Sequence, residues 1–294
     1  MASFTKQMTV PQFEAMFSTD DACKSYLVSR RWPAGIRCPR CGNEKLAEIS
    51  SKAFHWQCRA CSATGYRFSV LVGTIFENTN VGLKTWFKVI YLMLTSKKGT
   101  SALQVQRMFG FGSYSTAHYM CHRIRAGLAD PEFRKLMGIV EVDETYIGGK
   151  EKNKHEADRK HIGRGGVGKA TVIGAVERRG NLVARVIERA DTETLNAFIR
   201  EAVSEKVSLI ATDEHPGYRS LKKHRTVTHS AGQYVDGVVH TQTIDGFWSL
   251  LKRGIMGSYH KVSRKYLPLY VAEFEFRYNN RGNPDIFGAA IARC

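Results

Sequence analysis

Two cysteine pairs constrain this chain before anything else does. Cys38-Pro39-Arg40-Cys41 and Cys58-Arg59-Ala60-Cys61 are C-x-x-C units with sixteen residues between them. A tetrahedral Zn²⁺ takes four thiolates at about 2.3 Å, and each C-x-x-C turn offers two sulfurs to one ion while its amides support them. The intervening residues 46–57 have strand-like texture, so residues 36–70 read as a zinc ribbon. Redox pairs or disulfides are the competing use of such cysteines. Two matched pairs in a charged, Gly-turned context favour zinc, and four thiolates leave no open position for chemistry, which makes the metal structural. The total of seven cysteines is odd, and Cys23, Cys121 and Cys294 stand alone as core or incidental residues. That usage fits a reducing compartment.

Charge sets the second constraint. The 294 residues carry 44 Lys and Arg against 27 Asp and Glu, a formal +17, which points to a polyanionic partner. At roughly 100–200 residues per domain the chain is long enough for two domains. With 43% hydrophobic and 24% charged residues it is not a disordered chain. Trp86 to Thr95, the longest mostly apolar stretch, is interrupted by Lys88 and has about half of the ~20 residues a bilayer span needs. Met1 to Ser18 mixes polar and apolar residues and lacks a signal pattern. No membrane contact is expected, and the chain is placed in the cytoplasm, associated with the nucleoid.

Along the chain, residues 1–35 read as N-terminal helices, the second capped by Ser18, Thr19 or Asp20. Residues 80–130 form a second helical region. Within it Ser101 to Gly110, followed by Ser113 to Arg125, has the length and polarity of a helix–turn–helix, with Gly110 and Gly112 in the turn. Its second helix carries Arg123 and Arg125, basic groups suited to DNA; an ordinary helical hairpin is the alternative. After Asp130-Pro131 the texture changes to β-branched runs at Gly138 to Ile147, Ala170 to Val176 and Leu182 to Ile187. A helix over Thr192 to Val203, a strand over Val207 to Thr212, and helices near Gln242 to Arg253 and Leu267 to Tyr278 follow. This order is that of an α/β domain spanning residues 136–281, with residues 282–294 as a C-terminal tail. The stretch 148–169, with Lys150, Lys152 and Lys154, reads as a basic loop that either is merely solvated or neutralises DNA phosphates.

Three acidic positions sit where chemistry can use them. Asp143 lies in the apolar run Val140 to Tyr146, Asp213 ends Leu209-Ile210-Ala211-Thr212, and Asp245 opens the helix that closes on Lys252-Arg253. A carboxylate on an apolar strand is costly to bury without a cation. Two such strands side by side bring like charges together, which a shared divalent metal tolerates, and hard oxygen ligands select Mg²⁺ or Mn²⁺. Two such ions about 3.5–4 Å apart serve phosphoryl transfer.

Val142-Asp143-Glu144-Thr145-Tyr146-Ile147-Gly148-Gly149, Thr212-Asp213-Glu214-His215-Pro216-Gly217-Tyr218 and His240 to Gly254 resemble the three acidic blocks of bacterial insertion-sequence transposases of the DDE type with an N-terminal zinc ribbon, the ISXO-like group. Glu273 to Arg281 resembles that group's C-terminal helix, and the match runs from the ribbon to near the chain's end. The resemblance implies a ribonuclease-H-like catalytic domain behind the ribbon and the helical DNA-binding region. It also implies a DNA transposase that binds terminal inverted repeats, cuts transposon ends and joins them to target DNA with Mg²⁺ or Mn²⁺, working as a dimer or larger assembly. Asp143 and Asp213 would be the first two metal ligands and Lys252, beside Arg253, the basic residue two helical turns after the third. Asp245 stands where the group usually has Glu, one methylene longer; Gln242, three positions earlier, is the other candidate, and a helix N-cap is Asp245's other reading. A transposase-derived DNA-binding protein without catalysis is the alternative function.

Overall fold

The protein is described by a computed structural model covering residues 7–130, 132–149, 155–156, 168–213, 215–218, 221–227 and 240–294. It divides into two compact units, Met1–Leu128 with Arg281–Cys294, and Ala129–Asn280.

The first unit opens on helices α1 (Val10–Met16) and α2 (Asp20–Arg31). Thr9 and Thr19 accept first-turn N–H groups and so fix where each helix starts. Strands β1 (Ala47–Glu48), β2 (His55–Cys58) and β3 (Tyr66–Ser69) make a three-stranded antiparallel ribbon in sequence order. Helices α3 (Leu83–Thr95), α4 (Ala102–Phe109) and α5 (Tyr114–Leu128) follow. Ser101 caps α4 and Gly110, in the left-handed region, ends it. Residues 282–294 depart from the expected tail. They hold α9 (Ile286–Arg293), whose Ile286, Phe287, Ala290 and Ile291 recur at helical spacing and are buried. The Phe287 ring lies 5.3 to 5.6 Å from those of Phe13, Phe17 and Phe87, so α9 closes the aromatic core of this unit.

The second unit contains β4 (Ile139–Ile147), β5 (Ala170–Glu177), β6 (Leu182–Ile187), α6 (Thr192–Ala202), β7 (Leu209–Thr212), β8 (His224–Thr226), α7 (Gln242–Gly254) and α8 (Leu267–Asn279). The sheet runs β6-β5-β4-β7-β8; the first three strands are mutually antiparallel, and β4, β7 and β8 are parallel. An antiparallel meander extended from its first strand by two parallel strands is the ribonuclease-H-like order. The short polar strand β8 has no alternation to betray it and was not expected from the sequence.

Period-two patterning gives the sheet two apolar faces. Val140, Val142, Ile173 and Ala175 pack with Leu195, Phe198 and Ile199 of α6. Ile147, Val172, Val176 and Ala184 pack with Ile244, Phe247, Trp248 and Leu251 of α7 and Phe274 of α8. The β6 edge is covered as well as packed: Glu275 of α8 accepts from Ala184 N at 3.1 Å, and Asn279 brackets the N–H and C=O of Leu182.

Candidate active site and metal centres

The four ribbon thiols converge. Sγ to Sγ distances are 3.5 Å for Cys38–Cys61, 3.6 Å for Cys41–Cys58 and 3.3 Å for Cys61–Cys41. Four ligands at Zn–S lengths span tetrahedron edges of about 3.8 Å, so the group has the size and chemistry of a closed thiolate site. None of the seven cysteines forms a disulfide. Asn43 Nδ2 donates to Cys58 Sγ at 3.7 Å, an outer support for one ligand.

The acidic site follows from register. β4 and β7 pair in parallel as Ile139↔Leu209, Val140↔Ile210 and Glu141↔Ala211. Two places further on, Asp143 comes beside Asp213, which leaves the end of β7. Carboxylate oxygens of Asp143, Glu144 and Asp213 all lie within 4.8 Å of one another. Asp143 points to the α7 face, where Trp248 Nε1 donates to its Oδ2 at 2.9 Å. Glu144 points to the α6 face and accepts from the buried Tyr218 hydroxyl. β7 stops short of them, so both carboxylates reach round the uncovered edge of β4 to meet Asp213. The Asp213 carboxylate also accepts from His215 N at 3.1 Å, which fixes its rotamer.

The trio is electrostatically uncomfortable by itself. Burial, then Asp213, Glu144 and Asp245, push the Asp143 carboxyl up to about 7. Burial first, with Asp213 adding and the Tyr218 hydrogen bond opposing, pushes Glu144 up to about 7. A cluster that resists ionisation at neutral pH is one that a hard divalent cation relieves.

Asp245 occupies the first turn of α7, exposed, and contributes to the repulsion on Asp143, but it stands outside the 4.8 Å trio. Its N-cap reading does not hold. The N-cap is Thr241, and Asp245 N donates to Thr241 O at 3.1 Å from inside the helix. Gln242 is exposed at the first helical position.

Residues 135–279 match the ISXO2-like transposase domain and residues 18–64 the transposase zinc-ribbon domain. The chain belongs to the ISXO2-like transposases. It is 27% identical over 276 residues to an uncharacterized protein in transposable element ISH50 of Halobacterium salinarum, covering 89% of this chain and 91% of that one. A cryo-EM structure of the simian T-cell lymphotropic virus intasome in complex with PP2A regulatory subunit B56 gamma is similar at 16% identity, over 65% of each chain, with a TM-score of 0.31.

The basic residues expected to meet DNA fall into three sets in this transposase. Lys252 and Arg253 are exposed on the last turn of α7, on the helix that carries Asp245. Lys150, Lys152 and Lys154 lie outside the described residues. Arg123 and Arg125 correct the sequence expectation. Arg125 is 1% exposed, within the core side of α5. Arg123 donates to the carbonyls of Glu77 at 3.0 Å and Thr74 at 3.3 Å and lies over the Tyr119 ring, so it ties α5 to the segment before α3. Both guanidiniums serve the packing of the helical unit.

Sequence reasoning assigned no role to Trp248 and Tyr218, although both stand in the acidic blocks, and passed over Glu141. Glu141 is 0% exposed on β4, on the same face as Asp143. Like Asp143, it is an acid alternating with apolar residues on a strand and carries the same local signature. No helix among the described residues is long and apolar enough to cross a membrane.

Proposed function

We propose that this transposase is catalytically active, cutting transposon ends and joining them to target DNA by metal-dependent phosphoryl transfer. The observation that carries the reading is the convergence of Asp143, Glu144 and Asp213 at the end of a parallel strand pair. Asp143 and Asp213 are the first two metal ligands, Glu144 is a neighbouring carboxylate available to the same site, and Asp245 approaches from α7 as the third acidic ligand. Mg²⁺ or Mn²⁺ held there would supply charge stabilisation at the attacking and leaving oxygens of phosphoryl transfer. Trp248 and Tyr218 each occupy one oxygen of Asp143 and Glu144, aiming the rest of the carboxylate group into the site. Lys252 and Arg253, two turns from Asp245, take DNA phosphates at the border of the acidic patch. Zinc in the four-thiolate site holds the ribbon as an end-binding module. The helical pair α4–α5 contributes to the same duplex contact, and Lys150, Lys152 and Lys154 add salt-sensitive phosphate contacts. Holding two ends together calls for a dimer or larger assembly on double-stranded DNA.

The test is cleavage and strand transfer on DNA carrying the element's terminal inverted repeats, with Mg²⁺ or Mn²⁺. Asp143→Asn and Asp213→Asn should each abolish both reactions while end binding persists. Normal strand transfer by either variant would overturn the assignment. A wild-type protein that binds ends but never cuts them would leave a DNA-binding protein derived from a transposase.

A further inference from the structure

The start of α7 presents a physical problem that its own sequence does not solve. A helix N-terminus leaves its first N–H groups without intrahelical partners, and the N-cap residue Thr241 makes no side-chain hydrogen bond to them. The solution comes from another strand. Glu141 of β4, wholly buried, accepts from Thr243 N at 2.7 Å and Ile244 N at 3.1 Å through Oε2, and from Thr243 Oγ1 at 2.8 Å through Oε1. A full negative charge therefore sits on the positive end of the helix dipole. Arg178, in the turn between β5 and β6, completes the arrangement: its Nε donates to Glu141 Oε1 at 2.7 Å and its Nη2 to the His240 carbonyl at 3.1 Å.

We infer that Glu141 is a positioning residue, a clamp that fixes the first turn of α7 on β4 and thereby sets Asp245 and Trp248 against Asp143. The geometry leaves little freedom. Glu141 and Asp143 are two residues apart on one face of β4. Thr243, Asp245 and Trp248 lie within two turns of α7, and Trp248 closes the second contact by donating to Asp143. Two strand residues grip one helix at two points, and the exposed Asp245 lies between those points. A helix so gripped cannot slide or rotate relative to the strand without breaking a buried charged contact. The same contacts occupy the Thr243 and Ile244 amides, so DNA phosphate has no claim on those two. The inference rests on the metal reading of Asp143, Asp213 and Asp245 above, and it adds a residue that touches neither metal nor DNA.

The full-length protein labelled with 5-fluorotryptophan tests it by ¹⁹F NMR, with the Trp248 resonance assigned by Trp248→Phe. Without metal, Glu141→Gln should displace the Trp248 resonance and leave those of Trp32, Trp56 and Trp86 in place. With Mn²⁺ as the probe, the midpoint of paramagnetic broadening at Trp248 should rise by about tenfold, the lower end of what loss of an outer support costs a metal site. Glu141→Asp, which keeps the charge but shortens the reach, should fall between. If Glu141→Gln fails to fold, all four resonances collapse together, and Thr243→Val, which removes only one donor, carries the same two readouts. An undisplaced Trp248 resonance in a folded variant overturns the clamp, as does a displaced one with an unchanged Mn²⁺ midpoint. Failure of the metal reading looks different: Mn²⁺ would then leave Trp248 of the wild-type protein sharp, while the metal-free displacement still reports on the clamp.

Discussion

Gly174 sits directly across the strand pair from Asp143, and a methyl group there would stand 2.7 Å from Cη2 of Trp248. The same methyl would lie 3.1 Å from Ile244 Cδ1. The absent side chain is what lets the indole come close to β5 and reach the Asp143 carboxylate. Gly174→Ala should therefore push α7 off the sheet, cost about 1–3 kcal/mol of stability by overpacking, and reduce strand cleavage more than tenfold. Adding Trp248→Phe makes room and should return part of the stability without the activity, because the donor to Asp143 is gone. Urea unfolding of the two single variants and the double variant, together with cleavage assays, reads the non-additivity.

The raised Asp143 and Glu144 carboxyls give a pH dependence of defined sign. Both move from ordinary values of 3.8 and 4.5 to about 7 on folding, so the metal-free folded state holds protons that the unfolded chain has released. Their contribution is complete below about pH 4 and is lost as pH rises through about 7. The metal-free protein should lose on the order of a few kcal/mol between pH 5 and pH 8 from this source. Saturating Mg²⁺ should flatten the fall. Asp143→Asn should flatten it too, and should make the metal-free protein more stable than wild type at pH 8. Unfolding midpoints across pH, with and without Mg²⁺, check both; a wild-type curve that matches the variant's at every pH would remove the electrostatic argument.

What could be read in the sequence was what leaves a local signature. The C-x-x-C pairs, the β-branched runs of β4 to β7 and the helices α4 to α8 were legible because spacing encodes them. Asp143 and Asp213 were legible because an acid among apolar strand residues calls for a cation. Glu144 was not: its place in the trio depends on β7 ending at Thr212 and leaving an edge of β4 open. Arg123 and Arg125 were misread because helical polarity alone does not show which face of α5 meets Trp86 and the Glu77 carbonyl. Glu141 needed knowledge that α7 arrives without a cap of its own, a fact of tertiary placement.

Metal removal separates the ribbon from the acidic site. A tight chelator such as 1,10-phenanthroline should release about one Zn²⁺ per chain, as a four-thiolate site requires, and Cys58→Ser should be purified without it. Because Cys58 is buried at the end of β2, loss of the ion should unfold the ribbon locally. The near-ultraviolet signal of Trp56, whose ring packs 5.7 Å from that of Trp32, should fall with it. Elemental analysis and circular dichroism read the two together, and end binding should weaken in the same samples. A Cys58→Ser protein that retains zinc and end affinity would exclude the four-thiolate site.

The two kinds of arginine and lysine in this protein should respond to mutation in opposite ways. Arg125 is buried in α5, so Arg125→Ala removes packing and a charge held inside the helical unit. It should cost about 2–5 kcal/mol of stability, as truncating a large buried side chain to Ala does, and leave the salt dependence of DNA binding by the surviving folded protein unchanged. Lys252 is exposed near the end of α7, and its side chain makes no hydrogen bond or ion pair among the described residues. Lys252→Ala should leave the unfolding midpoint within about 0.5 kcal/mol of wild type and lower the slope of log affinity against log salt by about 1, one phosphate contact fewer. Thermal unfolding and salt-titrated binding to a terminal-repeat duplex, run on both variants, give four numbers. Arg125→Ala changing the slope with stability intact would return that residue to the DNA surface, and Lys252→Ala leaving the slope untouched would remove α7's last turn from it.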